Sequence, residues 1–125
     1  MATSKLQGAL NWFEIPVRDI DAASRFYGAM LGAPLRRERF FDVETAVFSY
    51  DHESVGGALV QDTRRQPGAT GTVVYLPARD GVAACLDRAR AAGAEVLMPV
   101  TPIGDMGSIG LVRDPDGNHV GLHAP

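Results

Sequence analysis

Alternation of apolar and polar residues near the start of the chain predicts a strand with two unlike faces. In the stretch NWFEIPVRD, Phe13, Ile15 and Val17 alternate as in a half-buried strand. The opposite face carries Trp12 and Glu14. A solvated face explains the carboxylate but not the aromatic ring beside it, whereas the wall of a cavity explains both. The pattern therefore predicts a strand that separates a core from a cavity.

Two apolar stripes at helical spacing predict two helices, one in each half of the chain. The stripe residues are Ala23, Phe26, Tyr27 and Met30 in the first helix and Val82, Cys85, Leu86 and Ala89 in the second. Asp19 and Asp80 precede the helices as expected N-caps, and the helices stop at Gly32 and Gly93. Shorter runs predict strands at 35–41, 44–50, 55–61, 95–98, 107–113 and 118–123.

The two halves of the chain repeat one pattern. IPVRDIDAA at 15–23 matches LPARDGVAA at 76–84, and LGAP matches AGAE at the same spacing. So many matches in one register indicate a duplicated unit. Each unit has the predicted order β-α-β-β-β, and the modules span about residues 10–62 and 72–124. With no linker rich in proline or serine between them, the sequence predicts one domain over 1–125.

Composition narrows the class of protein. The 125 residues, 46% hydrophobic and 22% charged, fit one globular domain with its own core. A net charge of -3 with dispersed basic residues argues against a nucleic-acid partner. No apolar run is long enough for a membrane span or a signal peptide. The single cysteine, Cys85, cannot form an intramolecular disulfide. We expect a soluble, cytoplasmic protein with residues 1–9 as a loose arm.

Both ends of the chain and its repeat resemble a known superfamily. The opening FEIPVRDIDAASRFYGAMLG, the duplicated unit and the closing RDPDGNHVGLHAP are similar to the vicinal oxygen chelate superfamily. Its members include glyoxalase I, extradiol dioxygenases, and the fosfomycin and bleomycin resistance proteins. The resemblance implies an α+β fold of two tandem βαβββ modules, with curved mixed sheets around a concave cavity and helices outside. It also implies a symmetric homodimer, and it leaves the activity open because the superfamily holds both enzymes and binders.

The metal ligands of the superfamily fall on residues that cannot bind a metal here. In metal-dependent members a histidine lies seven residues before the strand-ending Asp of each unit, and a glutamate lies in the last strand. Trp12, Val73 and Gly121 occupy these positions, and Ala58 corresponds to Gly121 in the first unit. None of these side chains carries a ligand atom. The resemblance therefore implies a protein without metal or other cofactor.

Strand periodicity from these inward positions selects the residues that line the cavity. The candidate catalytic residues are Glu14, His119 and His123, and the candidate ligand-binding residues are Trp12, Tyr75, Phe48 and Tyr50. A carboxylate enclosed by apolar walls has its charged form disfavoured and suits general acid or base work. The alternatives are a solvated Glu14 at the cavity mouth, exposed histidines, or a shifted metal site made of Glu14, His119 and His123.

Two functions from different classes stay open at this point. A binding protein would stack its aromatic rings on a flat, conjugated small molecule. A metal-independent lyase, isomerase or hydrolase would use Glu14 and a histidine to move protons on a small carbonyl compound or epoxide. The glycine-rich loop 101–110 is either a lid over the cavity or a plain surface loop.

Overall fold

The computed structural model describes residues 8–125 and consists of two modules, each with one α-helix and a four-stranded sheet. The second module also has a short 3-10 helix at Gly104–Met106. The first module contains β1 (Trp12–Pro16), α1 (Ile20–Leu31), β2 (Arg36–Phe40), β3 (Val43–Val47) and β4 (Gly56–Gln61). The second contains β5 (Tyr75–Pro77), α2 (Val82–Ala91), β6 (Glu95–Pro102), β7 (Ser108–Arg113) and β8 (His119–Ala124). The predicted α+β fold of tandem βαβββ modules with outer helices is confirmed. Most of the expected loose arm lies outside the described residues.

Both sheets have the same mixed topology, which follows from the duplicated sequence. The strand orders are β1-β4-β3-β2 and β5-β8-β7-β6, and in each sheet only the pair formed by its first and last strands is parallel. In the parallel ladders Glu14 lies opposite Ala58, and Tyr75 lies opposite Gly121. Ala58 therefore stands in the first module where Gly121 stands in the second.

The two faces of β1 differ as the alternation predicts. Ile15 and Val17 are buried in the core that the helices cover, and Phe13 packs against it. Trp12 and Glu14 lie on the opposite face, which is more exposed. The strand thus separates a buried core from an accessible surface, because successive side chains of a strand point to opposite sides.

The helices begin in different ways although their sequences repeat. Asp19 caps α1, since its carboxylate accepts hydrogen bonds from two backbone amides of the first turn. The matching expectation for Asp80 is wrong: α2 has Gly81, with φ of 102°, at its N-cap and no side-chain cap. Asp80 instead accepts two hydrogen bonds from Arg88, at 2.7 and 3.0 Å. These bonds lower the pKa of Asp80 to about 2.

Arg88 of α2 links the two helices by hydrogen bonds. Its Nε donates to the carbonyls of Ala29 and Met30, at 3.1 Å each, near the C-terminal end of α1. Those carbonyls lack partners within the helix, so a cation beside them satisfies orphan acceptors. One side chain therefore links the end of α1, the interior of α2 and Asp80.

The turn before β8 joins the second module to the first. Asp114 is buried and accepts a hydrogen bond of 2.6 Å from the hydroxyl of Tyr27 in α1. Burial, with the charge of Asp114 beside it, raises the pKa of Tyr27 well above its usual value. The side-chain amide of Asn118 donates to the carbonyl of Pro16 at 2.8 Å. Residues of the DPDGN motif therefore hold the two modules together by hydrogen bonds.

Candidate functional site

A cleft of about 1140 Å³ lies between the two modules, along their first strands. We call it the inter-sheet cleft. Its apolar lining includes Phe13, Ile15, Phe48, Tyr50, Val55, Val73, Tyr75 and Leu76. Its charged or titratable lining residues are Glu14, Asp51, Arg79 and His119. A mostly apolar space with a few polar groups is the usual composition of a small-molecule site.

A second cavity of about 410 Å³ is lined by residues of the first sheet and of the segment that follows β4. We call it the side pocket. It is lined by Trp12, Glu14, Phe40, Phe41, Val43, Thr45, Val60, Asp62, Arg64 and Arg65. Glu14 lines both cavities, so its side chain stands where they adjoin.

Glu14 is accessible from both cavities. It is exposed to solvent, so the expected enclosure of this carboxylate between apolar walls is not seen. Among residues 8–125 no side chain forms an ion pair or hydrogen bond with it. Glu14 is therefore available to a ligand, either as a hydrogen-bond acceptor or as a base.

The candidate aromatic residues divide between the two cavities. Trp12 lines the side pocket and makes an edge-to-face contact with Tyr50, with ring centroids 6.1 Å apart. Tyr50 and Tyr75 line the inter-sheet cleft, and each ring lies over a glycine of the neighbouring strand. Phe48 also lines the cleft, but it is mainly a core residue, packed against Phe13 and Tyr27.

The two candidate histidines are placed differently. His119 lines the inter-sheet cleft with Glu14, whereas His123 lines neither cavity. The Nε2 atom of His123 is 2.7 Å from the carbonyl of Met106. This contact holds the segment between β6 and β7 against β8. The segment is shorter than the expected loop 101–110, because β6 continues to Pro102. The structure thus gives no support to a lid there.

The residues present do not fit the metal site of metal-dependent superfamily members. Trp12, Ala58, Val73 and Gly121 offer no donor atoms at the four corresponding positions. Within residues 8–125, no three side chains of the His, Cys, Asp or Glu type are grouped so that they could hold an ion. The shifted set of Glu14 and two histidines is therefore not assembled in the part of the chain that is described.

Arg79 and Asp51 were missed by the sequence analysis, although both line the inter-sheet cleft. The signal that would have found them is the repeat itself. Arg79 corresponds to Arg18 in the matched segments, and DHE at 51–53 resembles DPD at 114–116. Only the second acidic turn was singled out, because it carries the family-like motif.

Residues 9–122 match the family described as the Glyoxalase/Bleomycin resistance protein/Dioxygenase superfamily. The chain belongs to this superfamily, which agrees with the resemblance of its end motifs. Within residues 8–125, no helix has both the length and the apolar character needed to cross a bilayer.

Individual relatives support the same fold. The chain is 27% identical over 133 residues to CFP32, named as a candidate glyoxylase, of Mycobacterium bovis and Mycobacterium tuberculosis. That match covers 93% of this chain but only 45% of the mycobacterial proteins. A glyoxalase/bleomycin resistance protein from Albidiferax ferrireducens is 18% identical with a TM-score of 0.77, covering 94% of this chain and all of that one. The fosfomycin resistance protein FosX of Listeria monocytogenes is 16% identical with a TM-score of 0.67, covering 96% and 93%.

Proposed function

We propose that the protein binds a flat, apolar or aromatic small molecule in the inter-sheet cleft. The supporting observation is the lining of the cleft, where the rings of Tyr50, Tyr75 and Phe13 surround a space of about 1140 Å³. Volumes of roughly 300–1000 Å³ are typical of sites that enclose a drug-sized ligand. Tyr75 is 47% exposed, so a ligand stacked on its ring would remove that apolar surface from water.

The second candidate function is a metal-independent enzyme. It is favoured by one observation: Glu14 and His119 line the same cleft. A carboxylate and an imidazole that face one ligand can accept and return a proton, as a lyase, isomerase or hydrolase requires. Binding without turnover remains our first proposal because it needs only the shape and lining of the cleft.

Substitution of Tyr75 tests the site. Tyr75→Ala should weaken the binding of a flat bicyclic ligand by about 1–3 kcal/mol, because the stacking surface is lost. Isothermal titration calorimetry measures this change. Phe41→Ala is the matched control, since Phe41 is fully exposed and lines only the side pocket. Trp12→Ala should have a smaller effect than Tyr75→Ala. Equal affinity in wild type and Tyr75→Ala would contradict the proposed site.

Glu14→Gln separates the two candidate functions. The amide keeps the size of the side chain but neither ionises nor accepts a proton at neutral pH. If the protein is a binder, Glu14→Gln should retain a ligand that does not need the charge. If it is an enzyme, the variant should bind the substrate and fail to convert it, which a single-turnover assay would show.

We further propose that the protein works without a bound metal ion. The four residues at the superfamily's ligand positions lack donor atoms, which supports this proposal. Elemental analysis of the purified protein should find no stoichiometric Zn, Ni, Mn or Fe, and chelators should not change ligand binding. About one metal ion per chain would contradict it.

We also propose that the chain forms a homodimer. Support comes from large apolar side chains that are exposed in the single chain and lie outside the cleft, including Leu97, Val100 and Met106 in the second module. A second copy would cover them through a self-complementary interface.

A further inference from the structure

The repeat creates two corresponding junctions between the modules, and only one of them is closed. At each junction an acidic turn that precedes the last strand of one module faces the end of the first strand of the other. The two turns share two internal hydrogen bonds, one to the backbone carbonyl and one to the side chain of the first aspartate. The amide of Asp116 donates to the side chain of Asp114 at 2.9 Å, and the amide of Glu53 donates to that of Asp51 at 3.1 Å. Asp51 therefore corresponds to Asp114, and Glu53 to Asp116.

The closed junction shows how this fold binds a carboxylate. The backbone amide of Arg18 donates to a carboxylate oxygen of Asp116 at 3.0 Å, and the guanidinium lies 3.6 Å from the same oxygen. Nη1 of Arg18 also donates to the backbone carbonyl of Asp116 at 2.8 Å. One arginine, placed just after β1, thus supplies both a backbone and a side-chain donor to one acid group.

Arg79 stands at the same place after β5, but it has no such partner. Within residues 8–125, neither its backbone amide nor its guanidinium donates to any acceptor. Its neighbour Asp80 does not neutralise it, because both oxygens of that carboxylate are engaged by Arg88. Arg79 is exposed and lines the inter-sheet cleft.

The difference between the junctions has a cause in the helices. Tyr27 in α1 reaches across to Asp114 and anchors the acidic turn of the second module. Arg88 takes the corresponding position in α2 but is bound to Asp80 and to the carbonyls that end α1. Among the described residues, Arg88 therefore makes no hydrogen bond with the turn at Asp51, and the inter-sheet cleft occupies this junction.

We propose that Arg79 binds a carboxylate group of the ligand in the inter-sheet cleft, with the backbone and guanidinium donors that Arg18 offers to Asp116. This inference rests on the proposed binding function and narrows the ligand to a flat aromatic acid. The other charged groups of the cleft, Glu14 and Asp51, belong to the first module. Arg79 is therefore the permanently cationic side chain among the residues that line the cleft, and the ring of the acid would lie among Phe13, Tyr50 and Tyr75.

A panel of matched acids and amides tests the proposal. It contains naphthalene, quinoline and anthracene carboxylates, each paired with its uncharged carboxamide, and binding is measured by titration calorimetry. Wild type should bind the acids about tenfold more tightly than their amides, the scale of one charge-assisted hydrogen bond. Arg79→Gln should remove this preference while leaving amide affinity unchanged. Arg65→Gln should keep it, because Arg65 also lacks an ion pair within residues 8–125 but lines only the side pocket.

The possible failures are distinguishable. If neither the acids nor the amides bind, the proposed function is overturned together with this inference. If acids and amides bind wild type equally well, the aromatic site stands and only the role of Arg79 is overturned. A preference for acids that survives in Arg79→Gln, or that disappears in Arg65→Gln as well, also rejects Arg79 as the acid-binding residue.

Discussion

At the scale of single residues, Tyr27 and Asp114 make a polar contact inside the core. Both are almost fully buried, and the hydroxyl donates over 2.6 Å to the carboxylate. Tyr27→Phe should lower the free energy of unfolding by about 1–2 kcal/mol, since Asp114 loses one of its donors but keeps those of Asn118. Urea denaturation measures the change. Tyr50→Phe is the control, with an expected change within about 0.5 kcal/mol.

The same pair predicts a dependence on pH. Burial, followed by the charge of Asp114, raises the pKa of Tyr27 in the folded protein well above the usual tyrosine value of about 10. The stability that Tyr27 contributes is therefore fully present below about pH 10 and is lost as the pH rises further, because the unfolded chain ionises first. The difference in stability between wild type and Tyr27→Phe should narrow above pH 10. A constant difference from pH 8 to pH 11 would contradict this account.

Residue orientation was predictable from the sequence, whereas residue environment was not. The period of two put Ile15 in the core and Glu14 on the other face, and Ile15 is indeed buried and Glu14 exposed. The expected separation of core and cavity is wrong for the inter-sheet cleft, because Phe13 and Ile15 line it together with Glu14. The exposure of Glu14 and the contact of His123 with Met106 depend on how the second module packs, which no local pattern contains. The surroundings of the candidate site residues therefore depend on tertiary packing, which the sequence pattern does not predict.

At the scale of elements, the hairpin of β2 and β3 carries local strain. Its two-residue turn, Phe41-Asp42, has positive φ at both positions, 48° and 66°, as a type I′ turn requires. Backbone conformations with positive φ are unfavourable for phenylalanine, whereas asparagine adopts them more readily. Phe41→Asn should raise the free energy of unfolding by about 0.5–1 kcal/mol. Phe40→Asn is the control, because Phe40 is half-exposed in a regular strand. Equal effects of the two substitutions would argue against strain at the turn.

Elements were predictable where one local signal acted alone. Asp19 caps α1 as expected, but Asp80 does not cap α2, because its carboxylate is bound by Arg88, a residue further along the same helix. β6 was predicted to stop at residue 98, directly before Pro99. The strand instead continues to Pro102, with irregular register between Val96 and Thr101 on either side of Met98. Such irregularities in a strand accommodate a proline that a regular ladder would exclude.

At the scale of the whole molecule, the repeat predicts the architecture. Sequence differences between its two copies leave one of the two junctions open as the cleft. The matched segments at 15–23 and 76–84 were enough to predict two like modules. The open junction arises from single differences between them, such as Arg88 in the place of Tyr27. These differences matter only once the modules face each other, so they could not be ranked from the sequence alone.

Assembly of two copies of the chain is a property of the whole molecule. Light scattering should give twice the 13.3 kDa chain mass at micromolar concentration, because a second copy would bury the exposed apolar side chains of the second module. Val100→Glu should shift the mass towards a single chain, since a charge would have to be buried without a partner. Val55→Glu is the matched control, a valine of similar exposure (46% against 44%) that lines the inter-sheet cleft. A wild-type mass near that of one chain would refute the dimer. A dimer that both variants preserve would place its interface away from Val100.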